Sequence, residues 1–447
     1  MKSRKVSRRQ FLQSSAALAA APYFIPSTVL GKDGGVAPSN RIAMVHIGVG
    51  GQGGYHLDVQ SKRNDIQIVG VCDVDRGHLD KAREKLKGAY GSDSGIDFVQ
   101  DFRQLLENKD KFDAALIATP DHWHALTTIS MLKNGKDCYT EKPLTRTIAE
   151  GRAVADTAKR YGRVVQTGSH ERSNPKSRYV ADVVRNGYLG KISRVEVNMP
   201  VTNHGPIPNR TPTEPPAELD YDLWLGPAPY KPYFADAKAS ENGKTYQRCH
   251  FWFRYQLDYA TGEMSDRGAH ILDIVQMILD KDGSGPVEAY GNGVQGDGKG
   301  GEFDSFMKYD FNIKYADGVV VHGTSEGDDS TRGLKVIGEN GWINVHIHGC
   351  ALTASDPKLL DIQFKPSDTT VGRSQGHHQN FYDAIRSRGD TVANAEIGHR
   401  TVSVCHITTI AMLLGRTLQW DPVKERFVGD PDANEYLNYT YRSPWVL

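Results

Sequence analysis

Residues 41–53, Arg-Ile-Ala-Met-Val-His-Ile-Gly-Val-Gly-Gly-Gln-Gly, contain a short apolar run followed at once by a glycine-rich turn. The run over 41–47 is bounded by polar residues, which is typical of a buried strand. Gly48, Gly50 and Gly53 then follow the pattern G-x-G-x-x-G ahead of a predicted helix. These glycines permit a tight turn and a close approach of the backbone to a pyrophosphate at a helix N-terminus. The stretch therefore predicts the start of a dinucleotide-binding fold.

A carboxylate stands where such a fold needs one. Ile66–Cys72 is a second predicted strand, and Asp73 ends it, 20 residues after Gly53. A carboxylate there accepts hydrogen bonds from the ribose hydroxyls and repels a 2′-phosphate. This favours NAD over NADP, although the guanidinium of nearby Arg76 could accommodate the phosphate and keeps NADP open.

Strand and helix patterns alternate as far as residue 167. Helices are predicted over 79–87, 120–135 and 147–160, and strands over 113–119, 137–140 and 164–167. Such alternation is typical of a parallel, doubly wound α/β sheet, which binds ligands at the carboxyl ends of its strands. Residues 39–168 are therefore predicted to form a Rossmann domain that binds NAD(P). Further candidate cofactor-binding residues lie at strand ends: Thr119, Pro120, His124, Glu141 and Lys142.

Four stretches together resemble the Gfo/Idh/MocA oxidoreductases, the family of glucose–fructose oxidoreductase and inositol dehydrogenase. They are the early glycine turn, Ala118-Thr119-Pro120 with His124, Glu141-Lys142-Pro143, and Gly262-x-x-x-Asp266-x-x-x-His270. The resemblance covers nearly everything from residue 40 onward. It implies a second, α+β domain over residues 169–447, built on a large, mostly antiparallel open sheet. In the family this sheet often forms a dimer interface, so we expect a homo-oligomer.

The resemblance also implies roles for particular side chains. Lys142 would bind the reacting oxygen and stabilise its developing negative charge. Asp266, His270 and Asp273 are spaced i, i+4, i+7 and share one face if helical. His270 would take the proton from a substrate hydroxyl, with Asp266 supporting it. Without the resemblance, the spacing would favour a helix-capping Asp and a partly buried, hydrogen-bonded His. The candidate substrate-binding residues are Arg172, Trp252, Arg254, Asp266 and His270.

The later part of the chain shows a strand-rich pattern. Strands are predicted near 193–199, 303–315, 318–326, 332–338 and 341–347. Nine of the 21 prolines fall in residues 200–232, which predicts an extended surface excursion. The six glycines of residues 291–301 predict a flexible loop. Residues 377–416 have a helical pattern and are expected to pack on the second sheet or to return to the first domain.

The N-terminus has the pattern of an export signal. Residues 7–13, Ser-Arg-Arg-Gln-Phe-Leu-Gln, resemble the twin-arginine motif, and a short apolar run follows. The run is too short to span a bilayer, so residues 1–38 are interpreted as a signal and linker. The twin-arginine machinery exports folded proteins, which predicts a periplasmic or otherwise exported enzyme that can carry a cofactor outward.

Composition excludes some classes of function. The 447-residue chain has 54 Lys and Arg against 54 Asp and Glu, so it lacks the net positive charge typical of a nucleic-acid binder. Histidines cluster at 122 and 124, at 346 and 348, and at 377 and 378. None of these clusters forms a helical i, i+4 pair with a third ligand in sequence, so no metal is expected.

These observations lead to one functional hypothesis with two alternatives. The hypothesis is an exported oxidoreductase that transfers hydride between a secondary hydroxyl of a sugar, glycoside or polyol and a tightly bound NAD, with NADP still open. The first alternative is a redox-neutral glycoside hydrolase that oxidises, eliminates, hydrates and reduces. The second is a sugar-binding protein without catalysis.

Overall fold

A parallel sheet of six strands occupies the first part of the computed structural model, which describes residues 37, 40–201, 210–241, 244–298, 301–349 and 351–447. The strands are β1 (Ile42–Ile47), β2 (Ile66–Cys72), β3 (Asp97–Val99), β4 (Ala114–Ile117), β5 (Asp137–Thr140) and β6 (Val165–Thr167). Their order is β3-β2-β1-β4-β5-β6, and all neighbours run parallel. Met44 and Val45 are both buried, on opposite faces of β1, as expected for a strand covered by helices on both sides. The doubly wound prediction is confirmed.

Helices connect these strands and begin where the sequence places their caps. They are α1 (Gly51–Ser61), α2 (Arg76–Tyr90), α3 (Phe102–Glu107), α4 (Asp121–Lys133) and α5 (Ile148–Tyr161). Asp75 caps α2 by accepting a hydrogen bond from the N–H of Gly77. Thr147 and Glu150 form a capping box at α5. Strand ends and helix starts therefore meet along one edge of the sheet, where the sequence motifs lie.

The second sheet is mixed and mostly antiparallel, as expected. The remaining described strands are β7 (Ile192–Asn198), β8 (Ala235–Glu241), β9 (Lys244–Gln247), β10 (Glu288–Gln295), β11 (Phe306–Lys314), β12 (Val320–Thr324), β13 (Gly333–Gly338), β14 (Gly341–His346), β15 (Leu352–Ala354), β16 (Leu418–Asp421) and β17 (Arg426–Phe427). Strands β8 and β9 form a separate hairpin, and the others have the order β15-β14-β13-β7-β12-β11-β10-β16-β17. Among the described pairs of this sheet, β7 with β12 is the parallel one.

Helices cover one face of the second sheet. The helices of this part are α6 (Pro175–Arg185), α7 (Tyr221–Leu225), α8 (Glu263–Asp266), α9 (Gly268–Ile278), α10 (His377–Ser387), α11 (Ala395–Leu414) and α12 (Pro431–Glu435). Helices α6, α9 and α11 share one apolar core with the strands, in which Ile274 and Val404 lie among residues such as Phe311. The other face of the sheet is open to solvent. Alternate residues of β11, such as Asp310 and Asn312, are exposed there.

The glycine-rich run over residues 291–301 corrects one prediction. Gly291 and Gly293 lie within β10 and not in a loop. A Cβ at Gly293 would lie 2.4 Å from Cδ1 of Phe306, and one at Gly291 would lie 2.7 Å from Cγ of Met412. Glycine is therefore required here by close packing against the strand's neighbours and not by a turn.

Of two other segments, the proline-rich one differs from its prediction and the one over residues 377–416 agrees with it. The proline-rich excursion contains α7, whose residues Tyr221 and Trp224 are buried. The segment 377–416 divides into α10 and α11, and α10 returns to the first sheet, where Phe381 packs in a cluster with Ile42 and Met44.

The predicted twin-arginine motif lies outside the described residues. Among the described helices, none is both long enough and apolar enough to cross a bilayer.

Candidate active site

A cleft of about 690 Å³ lies between the carboxyl edge of the first sheet and the second part of the chain. The first sheet contributes the glycine turn, Asp73, Thr119, Pro120 and the segment Glu141-Lys142. The second part contributes Arg254, Asp266 and His270, together with His250 and Phe251. Residues far apart in sequence therefore face one space, as the strand-end motifs predict.

Two of the three predicted glycines, Gly48 and Gly53, are required by the backbone of the turn, whereas a Cβ at Gly50 would meet only the side chain of His78, at 3.0 Å. Gly48 has φ +81°, and a Cβ there would lie 2.6 Å from the carbonyl oxygen of Ala118. A Cβ at Gly53 would lie 1.9 Å from the carbonyl oxygen of Gly48. At Gly51, by contrast, a Cβ would meet nothing within 4 Å. The start of α1 is therefore open, has no side-chain cap and fits the pyrophosphate of a dinucleotide.

Asp73 links the end of β2 to this turn. Its Oδ2 accepts a hydrogen bond from the N–H of Val49 at 2.8 Å, and its Oδ1 accepts one from the N–H of Asp75 at 2.9 Å. Nδ1 of His78 lies 3.2 Å from Oδ2. Asp73 thus holds the turn and still lines the cleft. Arg76, which kept NADP open, donates its Nε hydrogen to Gln100 at 2.9 Å.

Lys142 and Asp266 form an ion pair across the cleft. Nζ of Lys142 lies 2.5 Å from Oδ1 of Asp266 and 3.0 Å from its carbonyl oxygen. Nε of Arg254 lies 3.7 Å from Oδ2 of the same carboxylate. Burial raises the pKa of Asp266, but the ammonium and the guanidinium outweigh it, so the pKa lies below its usual range. Asp266 is therefore an anion that fixes the ammonium in the cleft.

This pairing corrects the expected partnership of Asp266 with His270. Asp266 is the last residue of α8, and α9 begins only at Gly268, after Arg267. Arg267 keeps helical dihedrals, but the carbonyl oxygen of Asp266 accepts a hydrogen bond from Nζ of Lys142, and the N–H of His270 donates to the carbonyl oxygen of Arg267. Among the described residues, Asp266 pairs with Lys142 and Arg254. The third member of the predicted face, Asp273, binds Arg172 instead.

His270 stands beside the ion pair as a buried imidazole. It is 5% exposed, and its Nδ1 has no hydrogen-bond partner among the described residues. Burial lowers its pKa well below the ordinary value, and the charge of Lys142 lowers it further. His270 is therefore neutral at physiological pH and free to accept a proton.

Two further histidines, which the sequence did not single out as site residues, surround His270. The ring centroids of His170 and His348 each lie 4.8 Å from that of His270. His170 begins a 3₁₀ turn after β6, and His348 follows β14 with a left-handed φ of +65°. No local sequence motif marks this cluster, because its members come from three separate elements.

Asp121 is another cleft residue that was not predicted from the sequence motifs. It begins α4 directly after Thr119-Pro120, is buried and lines the cleft. Burial raises the pKa of Asp121 to about 7, and the negative charge of Asp266 contributes. Its position beside a recognised motif was the available signal.

His124 lies behind the cleft, and Glu141 lies at its wall. His124 is 1% exposed, and its ring nitrogens lie 2.7 Å from the carbonyl oxygen of Pro143 and 2.8 Å from that of Thr119. It joins two cleft loops and does not line the cleft, contrary to the expectation that it contacts the cofactor. Glu141 pairs with Nε2 of His56 at 2.8 Å. Burial raises the pKa of Glu141, but this partner prevails and lowers it to about 2.

Arg172 and Trp252 are corrections to the predicted substrate residues. The side chain of Arg172 is 2% exposed, because its guanidinium binds Asp273 at 2.8 Å and Asp282 at 2.7 Å. Trp252 is also 2% exposed and packs on Tyr246, with ring centroids 4.3 Å apart. Both side chains are therefore structural. Arg254, the third member of that set, does line the cleft.

Comparison with protein families gives matches along most of the chain. Residues 41–169 match the NAD-binding Rossmann fold of an oxidoreductase family, and residues 178–447 match the C-terminal alpha/beta domain of that family. Residues 5–22 match the twin-arginine translocation signal, which indicates export across the membrane to the periplasm.

Similar proteins include sugar- and polyol-related enzymes. The alpha-N-acetylgalactosaminidase of Shewanella oneidensis is 27% identical over 204 residues, which are 42% of this chain and 44% of that protein. The inositol 2-dehydrogenase of Rubrobacter xylanophilus is 31% identical over 154 residues, 34% of this chain and 42% of that protein. The chain thus matches less than half the length of these curated relatives.

Solved structures share the fold at low sequence identity. The WlbA dehydrogenase of Bordetella pertussis, crystallised with NADH and UDP-GlcNAcA, superposes with a TM-score of 0.61 at 14% identity. The match covers 85% of this chain and 99% of that one. With both domain models matched in order, the chain belongs to the Gfo/Idh/MocA oxidoreductase family, with an NAD-binding Rossmann domain and a C-terminal alpha/beta domain.

Proposed function

We propose that the protein oxidises a secondary hydroxyl of a sugar, glycoside or polyol with NAD held at the glycine turn. One observation carries this proposal. The Lys142–Asp266 ion pair and the neutral His270 line the same cleft as Gly48, Gly50 and Asp73. A hydrogen-bond donor, a proton acceptor and a dinucleotide site in one space are the parts that alcohol oxidation needs.

Each side chain has a distinct task. The ammonium of Lys142 donates a hydrogen bond to the substrate oxygen and stabilises negative charge as the proton leaves. Asp266 keeps that ammonium in place, since it binds Nζ through both its carboxylate and its carbonyl oxygen. His270 accepts the hydroxyl proton, a step that contributes roughly 100- to 10,000-fold in rate when the base is well placed. When bound, the nicotinamide supplies hydride acceptance.

The second part of the chain covers the nucleotide end of the cleft. The N–H of Arg76 donates to the carbonyl oxygen of Glu218 at 3.0 Å, and the N–H of Asp220 donates to that of Val74 at 2.9 Å. His250 contacts Asp75, with its Nε2 lying 3.1 Å from Oδ2 of that residue. These contacts support a nucleotide that is held tightly and exported inside the folded protein. A retained nucleotide must be restored in place, for example by a second sugar.

The substrate class rests on the relatives. One is named an inositol dehydrogenase, and another was crystallised with a nucleotide sugar. The cleft agrees with a polar substrate, because Lys142, Arg254 and Asp266 face it together.

A redox-neutral glycoside hydrolase is the second candidate. It is supported by the alpha-N-acetylgalactosaminidase match, which spans 204 residues. In such a reaction the same oxidation at a ring carbon would be followed by elimination, hydration and reduction. The base and the donor described above would serve both reactions, so the products must distinguish them.

The test begins with the purified exported protein. We expect denaturation to release NAD in a one-to-one ratio, identified by mass. Methyl and 4-nitrophenyl glycosides of the common hexoses, and myo-inositol, are then screened for a rise in absorbance at 340 nm from the bound nucleotide. Release of nitrophenol without net NADH would favour the hydrolase. Protein that holds NAD and binds these sugars without any reaction would contradict both enzymes and leave the sugar-binding alternative.

We also propose a homo-oligomer through the uncovered face of the second sheet. That face carries ion pairs such as His322 with Asp310, 2.8 Å apart, and Arg194 with Glu196, 3.6 Å apart. A polar interface of this kind should weaken as salt is added. Light scattering at low and high ionic strength tests this, and a monomer at both would contradict it.

A further inference from the structure

Three imidazoles and one carboxylate form a cluster next to the ion pair. One ring nitrogen from each of His170, His270 and His348 lies within 4.8 Å of the others. Oε1 of Glu171 lies 3.5 Å from Nε2 of His170 and 4.0 Å from Nε2 of His348. The function proposed above uses only His270, so the other members have no assigned task.

We propose that His170, backed by Glu171, relays protons between the buried His270 and solvent. This inference rests on the proposed function, in which His270 takes the hydroxyl proton. His170 lines the same cleft as His270, and the task assigned to it is the relay of protons.

The relay is needed because protonated His270 is destabilised by its surroundings and favours passing its proton on. Its imidazolium would be buried beside the ammonium of Lys142, and both burial and that charge lower its pKa. With a retained nucleotide, the oxidising and reducing half-reactions are separated in time. The proton must therefore leave after the first half-reaction and return before the second.

The geometry offers a path for that proton. The side chain of His170 is 49% exposed, whereas His270 is 5% exposed. A nitrogen separation of up to 4.8 Å is too long for a direct hydrogen bond but fits one bridging water with two bonds of about 2.8 Å. Nδ1 of His270 has no hydrogen-bond partner among the described residues, so it can bind a water.

Glu171 is held beside the ring of His170. Burial raises the pKa of Glu171, but its contact with His170 outweighs it, and the pKa is lowered overall. Nδ2 of Asn174 donates to Oε2 at 3.1 Å, and the N–H of His348 donates to Oε1 at 3.3 Å. A fixed carboxylate beside an imidazole can accept a hydrogen bond from its ring N–H and keep the ring in place. Other titratable or charged groups in the electrostatic surroundings of His170 are Glu141, Lys142, His270, His348, His377 and His378.

Three histidines this close together could instead bind a divalent metal ion. One contact argues against such a metal site. Nη1 of Arg332 lies 3.0 Å from Nδ1 of His348. Arginine only donates, so Nδ1 accepts, and neutral His348 carries its hydrogen on Nε2. His348 then has no lone pair free for a metal. The cations Lys142 and Arg332 would also repel one.

The proton balance is simple in each direction. During oxidation the O–H bond of the substrate breaks, its proton passes to His270, and its C–H bond yields the hydride. The proton then passes through the water to His170 and into bulk solvent. During reduction of a second carbonyl compound the same proton path runs inward, so no other oxidant or acid is required.

The test separates proton release from oxidation. Nucleotide-loaded protein in weak buffer with a pH indicator is mixed with a glycoside that reduces the bound nucleotide. In the wild type, acidification should keep pace with absorbance at 340 nm. In His170→Gln, acidification should lag, turnover should fall roughly 10-fold or more, and KM should stay the same. Added imidazole should restore the rate. Glu171→Gln should show the same lag in milder form.

Glu84→Gln, at an exposed position of α2, is the matched control for Glu171→Gln and should behave as wild type. Prompt acidification in His170→Gln, or slowing that imidazole does not relieve, would overturn the relay. One divalent metal per chain, found by elemental analysis of the wild type and lost in His170→Gln, would replace it with a metal site. If no sugar reduces the bound nucleotide in the wild type, the proposed function fails and the relay fails with it.

Discussion

Nζ of Lys142, at the end of the first sheet, lies 2.5 Å from Oδ1 of Asp266 in the second part of the chain. The pair is largely screened from water, with side chains 15% and 27% exposed. It therefore fixes an ammonium in the cleft at the junction of the two parts. Catalysis should depend on this ammonium more than folding does, because Arg254 remains near Asp266 when Lys142 is replaced.

The first prediction concerns Lys142→Met, which keeps length and removes the charge. Turnover should fall roughly 100- to 1,000-fold, as when a donor to a developing oxyanion is lost. The nucleotide content by mass should stay near that of the wild type. Lys111→Met, which breaks the exposed ion pair with Asp97, is the control and should leave turnover unchanged. Equal turnover in the two variants would contradict a catalytic role for Lys142.

The second prediction concerns Asp121 and pH. Its folded pKa is raised to about 7, mainly by burial, whereas an unfolded Asp titrates near about 3.9. Between these values the folded chain keeps a proton that the unfolded chain has released, so stability falls as pH rises. Asp121→Asn removes this effect. The melting temperature of the variant, measured relative to that of the wild type, should rise as the pH is raised from 4 to 8.

The gain at pH 8 should amount to a few kcal/mol in the free energy of unfolding, since each pH unit contributes roughly 1.4 kcal/mol at most. Urea unfolding at both pH values measures it. Asp432→Asn is the control, because Asp432 is 78% exposed in its side chain. A difference between Asp121→Asn and the wild type that does not change with pH would show that Asp121 is already ionised when folded.

The Rossmann half was predictable from sequence because its signals are local. Strand β2 was predicted over Ile66–Cys72 and β5 over 137–140, and both have those bounds in the structure. Apolar runs, glycine turns and caps act within a few residues, so a single sequence shows them. The loop predicted at Gly291 and Gly293 was wrong for the opposite reason. The residues that require glycine there, Phe306 and Met412, are distant in sequence.

The site was predictable in its members more than in its pairings. Lys142, Asp266 and His270 do meet, but Asp266 binds a lysine 124 residues away and not the histidine four residues on. Arg172 looked available for substrate because nothing local shows Asp273, 101 residues further along the chain. Tertiary partners decide which charges are free, and spacing along the chain does not report them.

The third prediction concerns the glycine turn. Gly53→Ala places a Cβ within 1.9 Å of the carbonyl oxygen of Gly48, so the turn must open. The purified variant should contain little or no nucleotide by mass and should melt at a lower temperature. Gly88→Ala is the control, since a Cβ there meets nothing within 4 Å inside α2 and alanine favours a helix by up to about 1 kcal/mol. Full nucleotide content in Gly53→Ala would contradict the cofactor site.

The fourth prediction concerns retention of the nucleotide. Nε2 of His250 lies 3.1 Å from Oδ2 of Asp75, and this contact joins the covering segment to the start of α2. His250 has a left-handed φ of +51°, which asparagine tolerates better than most residues, so His250→Asn removes the imidazole with little backbone strain. A partly exposed pair contributes about 0.5–1 kcal/mol, which corresponds to a two- to five-fold faster release of NADH. Stopped-flow fluorescence with excess NAD as competitor measures that release, with Asp432→Asn at an exposed position as the control. If both variants release NADH at the wild-type rate, the covering segment does not retain the nucleotide, and retention must come from the glycine turn and Asp73 alone.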